Sequence, residues 1–125
     1  MKVTIGLYPK KGKRIERVKI NRHDTYSLCD TLALVIYPAL KKFREIGIIG
    51  CPGSLAEGKT VEEGCKEWGE MIDKMIFSFQ EIANNNKNQP PLTRTEEQKN
   101  NYLAYHKKIQ EGLNLFAKYY QNLWW

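Results

Sequence analysis

The sequence predicts a mainly α-helical domain with an N-terminal β-hairpin, an α+β chain in which the hairpin lies on a layer of three helices. Three observations carry that prediction. Apolar residues recur at alternate positions before residue 22 and at spacings of three and four after residue 27. Two threonine capping boxes each open a long periodic stretch. Glycine and proline fill the segments between those stretches. At 125 residues and 42% hydrophobic content, residues 1–125 form one domain able to bury a single core.

Residues 1–22 read as the hairpin. Val3, Thr4 and Ile5 favour a strand over Lys2 to Tyr8, and Pro9-Lys-Lys-Gly12 supplies turn chemistry. The chain then resumes from Arg14 to Asn21, with Val18 and Ile20 alternating against Arg17 and Lys19. Two strands alone are not stable in water, so the apolar face is expected to lie on helices or to pair with another subunit.

The first helix is predicted over 27–46 from Leu28, Leu32, Val35 or Ile36, Ala39, Leu40 and Phe43, with Pro38 expected to kink it or break it in two. Gly47 to Gly58 reads as a loop. Thr60 with Glu63 opens a helix over 60–84 whose seam is Val61, Cys65, Trp68, Ile72, Met75, Phe79 and Ile82. Asn84 to Asn88 and Pro90-Pro91 end it. Thr95 with Gln98 opens the last helix, 95–123, with Tyr102, Tyr105, Ile109, Leu113, Phe116, Tyr120 and Leu123 on its seam. Two long helices with matching seams and a short connection should pack antiparallel. Gly64, Gly69 and Gly112 fall inside them, where close helix contact is the usual compensation and room for a ligand the rarer one.

Charge is uneven along the chain. Residues 1–22 hold eight basic side chains against Glu16 alone, a net of +7, while the remaining 103 residues carry 12 basic and 13 acidic groups, a net of −1. Such concentration attracts phosphate-bearing partners, although lysine also protects exposed strand edges. Cys29, Cys51 and Cys65 lack a C-x-x-C pattern and read as reduced thiols, with neither a disulfide framework nor a zinc site. The apolar run Leu32 to Leu40 is interrupted by Pro38 and is far short of a membrane span.

The segment from Arg22 to Asp30 is the densest in polar groups and has two readings. In one, Asp24, Thr25 or Ser27 caps the first helix and Asp30 complements its positive end. In the other, Arg22 and Tyr26 hold an anionic ring-containing ligand while Ser27 and helix amides contact its phosphate. Asp24, Asp30, Glu67, Glu70 and Asp73 offer carboxylates, but Glu70 stands four before Lys74 as an ordinary helix ion pair. Asp73, beside the seam, is the acid expected to be partly buried and hydrogen-bonded. Phe116 and Tyr120 read as core, and because Tyr119, Trp124 and Trp125 cannot all face the same way, some aromatic surface is expected to remain for a ligand or a partner chain, a second copy first among them.

Taken together, the run Val18 to Ala33, Pro38, Trp68 with Asp73 to Phe79, Glu111 to Tyr120 and Leu123-Trp124 resembles a family of small bacteriophage proteins without an assigned activity. The shared pattern is Asp-Thr-aromatic-Ser with an acid three residues on, then Leu-Phe-x-Lys-Tyr and Leu-Trp. It falls on Asp24, Thr25, Tyr26, Ser27, Asp30, Leu115, Phe116, Lys118, Tyr119, Leu123 and Trp124. Tyr26 stands where the family has Trp, and Trp125 where it has an acid or amide. The resemblance covers nearly the whole chain and implies a viral origin and the host cytoplasm, not a reaction.

The leading functional expectation is a phage-encoded protein that sequesters a small anionic host molecule, best matched by a nucleotide immune signal, without catalysis and without a cofactor. Arg17, Lys19, Arg22, Tyr26, Ser27, Trp68, Lys118 and Tyr119 are the candidate ligand-binding residues, with cations and Ser27 for phosphate and rings for base stacking. The alternative is a DNA- or RNA-binding accessory protein whose basic hairpin tracks a backbone or enters a groove. An inhibitor docking through exposed aromatics is a third reading. A metal-dependent nuclease using Asp24, Asp30 and Asp73 is the least supported, since no P-loop, nucleophile elbow or zinc-protease motif is present.

Overall fold

In the computed structural model, which describes residues 1–47 and 50–124, an antiparallel hairpin precedes four helices. The strands are β1 (Lys2–Ile5) and β2 (Glu16–Lys19), and the helices are α1 (Leu28–Ile46), α2 (Gly53–Ala56), α3 (Val61–Ala83) and α4 (Glu96–Tyr119). Short 3₁₀ turns at Arg22–Thr25 and Tyr120–Asn122 flank this helical region. Trp125 lies outside the described residues.

α3 is the central helix and packs on both α1 and α4. Its pairings with α4 run in opposite directions: Trp68 meets Tyr119, Lys74 meets Glu111, Ser78 meets Ile109 and Glu81 meets Tyr105, so the two helices are antiparallel. The predicted seam supplies the core, with Trp68, Ile72 and Met75 fully buried and Phe79 nearly so. Burying each such side chain contributes roughly 1.5–3 kcal/mol. Val61, the first residue of the predicted seam, is exposed.

Local chemistry sets the helix ends. At α3, Glu63 N–H donates to Thr60 Oγ1 and Thr60 N–H donates to Glu63 Oε2, both at 3.2 Å, completing the expected capping box. The expected Thr95 box does not form. Thr95 makes no side-chain cap, and the Gln98 carbonyl accepts from the Thr93 hydroxyl instead. α3 ends where Asn85 and Asn86 both take left-handed φ values of 55°, a conformation asparagine tolerates better than most residues. Pro38 does not break α1, which is one helix of 19 residues. The proline and Leu34, whose carbonyl loses its partner four residues on, are both on the solvent face, where water can satisfy that oxygen.

All three glycines predicted inside helices serve close contact. A Cβ on Gly64 would meet Cys51 Sγ at 3.0 Å and the Leu55 carbonyl at 3.1 Å, and one on Gly69 would meet the Arg44 guanidinium at 3.0 Å. On Gly112 it would fall inside Ser78.

The hairpin departs from the expected hairpin-on-layer arrangement. Its strands contact each other, and no backbone approach links them to α1, α3 or α4. The strands are also shorter than predicted. Pro9 lacks a backbone donor, and Arg14 folds the loop back by donating from Nε to the Gly6 carbonyl and laying its guanidinium 4.2 Å from the Tyr8 ring centre.

Candidate nucleic-acid interface

The hairpin register pairs Lys2 with Lys19, Val3 with Val18, Thr4 with Arg17 and Ile5 with Glu16. Alternation therefore puts Lys2, Thr4, Arg17 and Lys19 on one face and Val3, Ile5, Val18 and Ile20 on the other. Every residue of both strands is exposed. Lys2 directly opposite Lys19 is a repulsive cross-strand pair, and Arg17 adds a third cation on the same face. Such an arrangement costs the hairpin stability unless an anion sits between the charges. The connecting loop carries Lys10, Lys11 and Lys13, all exposed, with Gly12 at φ 85° allowing its turn.

Asp24 anchors the base of the hairpin. Its carboxylate lies 2.9 Å from the Met1 ammonium and accepts the Asn21 N–H at 2.7 Å. The ammonium, and then the Asn21 amide, hold this carboxyl below the usual aspartate range. Thr31 Oγ1 reaches the Asp24 carbonyl at 3.1 Å, tying the 3₁₀ turn to α1. Asp24 therefore caps the turn before α1, while Ser27, the cap residue of α1, makes no side-chain cap bond.

The eight residues expected to form one ligand site fall into two groups. Arg17, Lys19, Arg22, Tyr26 and Ser27 follow one another along the exposed hairpin and its hinge, with Tyr26 78% exposed. Trp68, Lys118 and Tyr119 are together elsewhere. The Trp68 and Tyr119 rings meet edge to face at 5.4 Å between centres, and the Lys118 ammonium lies 5.2 Å from the Tyr119 ring centre. Trp68 is 1% exposed and Tyr119 7%, so these rings are core and neither offers a free face for stacking on a base. Tyr120, expected in the core, is exposed, and its neighbour Tyr119 is buried instead. α4 ends at Tyr119, and the following 3₁₀ turn rotates Tyr120 outward.

The concave surfaces do not combine cations with free rings: a shallow one of about 380 Å³ on α4 is lined by Lys107, Gln110, Glu111, Asn114, Leu115 and Lys118, with no aromatic side chain among them. A cleft of about 270 Å³ is lined by Gly50, Cys51, Pro52, Gly53, Trp68, Asn122 and Trp124, with no cation among these residues. A groove of about 280 Å³ between α1 and the end of α4, including Val35, Phe43, Phe116 and Leu123, is lined by apolar side chains and Tyr120 and holds no cation. Among the described residues no group of three or more His, Cys, Asp or Glu side chains is placed to hold a metal ion.

The acids otherwise pair as structural groups. Asp73 accepts from Arg44 Nε at 3.0 Å, so it is hydrogen-bonded as expected of it, but it is exposed and not partly buried. Lys74 pairs across the helices with Glu111 at 2.8 Å rather than with Glu70, an interaction that lowers the Glu111 carboxyl below its usual range and raises the Lys74 ammonium above it. The buried acid is Glu81, 5% exposed, which accepts from the Tyr105 hydroxyl at 2.8 Å and the Asn88 amide at 3.0 Å. Sequence reasoning missed it, although its position three after Ser78 keeps it on the buried side of α3.

No helix among the described residues is long and apolar enough to cross a membrane. Comparison with protein-family models, curated proteins and solved structures finds no match to this chain.

Proposed function

We propose that this protein binds nucleic acid through its phosphate backbone, using the N-terminal hairpin as a basic β-ribbon. The observation that carries the reading is the Lys2–Lys19 pair with Arg17 beside it, on a hairpin that contributes nothing to the packing of the helices. Like charges held opposite each other are unfavourable in the free protein, and a phosphate between them converts that repulsion into two favourable contacts. A two-stranded ribbon also matches the width of a major groove, and the lysines of the loop extend the contact along a backbone. This is the alternative of the two readings from sequence. Capture of one small nucleotide needs cations and stacking rings at one concave site, whereas Arg17 and Lys19 lie on the hairpin, the surface on α4 that holds Lys107 and Lys118 has no ring in its lining, and Trp68 and Tyr119 lie in the core. The resemblance to small bacteriophage proteins fits an accessory role on viral or host nucleic acid.

The test is fluorescence anisotropy with labelled duplex DNA and single-stranded RNA between 50 and 300 mM salt. Binding through about five phosphates gives a log–log slope near −4.5 on duplex DNA. Replacing Lys2, Arg17 and Lys19 together by serine should lower that slope by about three with helical circular dichroism unchanged. Affinity independent of salt, or retained in full by the triple variant, would overturn the reading.

A further inference from the structure

Cys51 and Cys65 stand fourteen positions apart in the sequence with no pattern joining them, yet the fold brings Cys51 against Gly64, the residue before Cys65. After Gly50 the chain crosses the first turns of α3. Leu55 is buried there, its N–H donating to the Pro52 carbonyl at 2.9 Å to start α2. The absence of a side chain at Gly64 lets the Cys51 sulfur approach so closely that a Cβ at that position would sit 3.0 Å from it, and Cys65 is the next residue. Burial first, then the neighbouring Cys65 thiol, pushes the Cys51 thiol above the usual cysteine range. Both residues are half-buried, and Cys51 forms part of the wall of the cleft beside Trp68, which gives a small reagent a path to the sulfur. Cys29 is exposed on α1 next to Asp30.

The geometry points to a redox couple: Cys51 and Cys65 close an intramolecular disulfide when a low-molecular-weight disulfide is the oxidant, fastening residues 50–56 to α3. One cysteine, as thiolate, attacks the external disulfide, forming a mixed disulfide and releasing one small thiol. The second cysteine then attacks the protein sulfur of that mixed disulfide, and the second small thiol leaves. Two electrons pass from the cysteine pair to the oxidant, and the two protons lost by the cysteines appear on the two released thiols. The attacking species is the thiolate, so the raised Cys51 value makes the exchange slow near neutrality and faster at mildly alkaline pH. The bridge encloses α2 and the Thr60–Glu63 capping box, and it fixes the wall of the cleft that includes Cys51 and Pro52.

The experiment incubates the whole protein with oxidised glutathione at pH 8.5, quenches in acid, alkylates the remaining thiols and maps the peptides by mass. A Cys51–Cys65 linked peptide that is 2 Da lighter than the reduced pair, with the exposed Cys29 outside the bridge and carrying glutathione, is the expected result, together with a Tm raised by several degrees and restored by dithiothreitol. Cys51→Ser should then leave glutathione on Cys65, and Cys65→Ser should leave it on Cys51. Stable glutathione adducts on both cysteines of the unmutated protein, intermolecular disulfides in place of the internal one, or three unmodified thiols would each overturn the proposal. None of these outcomes depends on nucleic-acid binding.

Discussion

Ser78 and Gly112 meet so closely that a methyl group on Gly112 would lie 1.9 Å from the Ser78 hydroxyl oxygen and 2.3 Å from the Lys74 carbonyl oxygen. The hydroxyl donates to the Ile109 carbonyl at 2.7 Å, so one serine both fills the space that glycine leaves and fastens α3 to α4. Close backbone approach, not a ligand cavity, explains the glycine in this helix.

Gly112→Ala should therefore destabilise the protein by about 1–3 kcal/mol, even though alanine favours a helix by about 1 kcal/mol over glycine. Adding Ser78→Ala should restore only part of the loss, because the Lys74 carbonyl is backbone and does not move aside. Gly69→Ala should be neutral or slightly stabilising, since its obstacle is the flexible end of Arg44. Urea midpoints of the variants rank the three. Equal behaviour at positions 69 and 112 would show that the helix contact is not tight.

Much of the fold was legible because the signals were local or periodic. The Thr60–Glu63 box and the Trp68, Ile72, Met75, Phe79 seam follow from spacing alone, and the structure realises both. What was not legible depends on neighbouring elements. Spacing within α3 pairs Lys74 with Glu70, but Glu111 on α4 reaches it first. Spacing along α4 puts Tyr120 inward, but Tyr119, seven after the buried Gly112, is the ring that meets Trp68 on α3, and the 3₁₀ turn that follows leaves Tyr120 exposed. Of the candidate site, the concentration of charge in residues 1–22 was readable and the partition of the rings was not, because the same periodicity that marks Trp68 as notable makes it core.

Glu81 pairs with no cation among the described residues, and the Tyr105 hydroxyl is one of the two donors that satisfy its carboxylate. Tyr105→Phe should cost about 1–3 kcal/mol by leaving that oxygen short of a donor. Burial, then the bond to Glu81, pushes the Tyr105 phenol up to about 12 from an ordinary value of 10.0. The folded state thus holds this proton more tightly than the unfolded state. The resulting stability is complete below pH 10 and is lost as pH rises from there through about 12. Ultraviolet titration should show one tyrosine ionising after the others, absent in Tyr105→Phe. An unchanged titration in that variant would refute the assignment.

Trp68→Phe separates a core residue from a binding residue. Loss of the larger ring from a site 1% exposed should lower stability by about 1–3 kcal/mol. Nucleic-acid affinity, measured well below the variant's melting point, should be unchanged. A selective fall in affinity with stability intact would return Trp68 to the binding surface.

Lys19→Glu sets stability of the hairpin against its proposed function. Opposite Lys2, a glutamate turns a repulsive cross-strand pair into an attractive one, a gain of roughly 0.2–1 kcal/mol to a ribbon that no helix supports. The same change removes two units of positive charge from the face proposed to meet phosphate, so affinity for duplex DNA should fall and its salt slope flatten by about one to two. Amide exchange in Lys2–Ile5 and Glu16–Lys19 reports the first effect and anisotropy the second. A hairpin that becomes better ordered while binding weakens is the signature of charges kept for a partner and not for the fold. If order and affinity rise together, the lysine pair serves the hairpin itself and the phosphate contact must lie elsewhere.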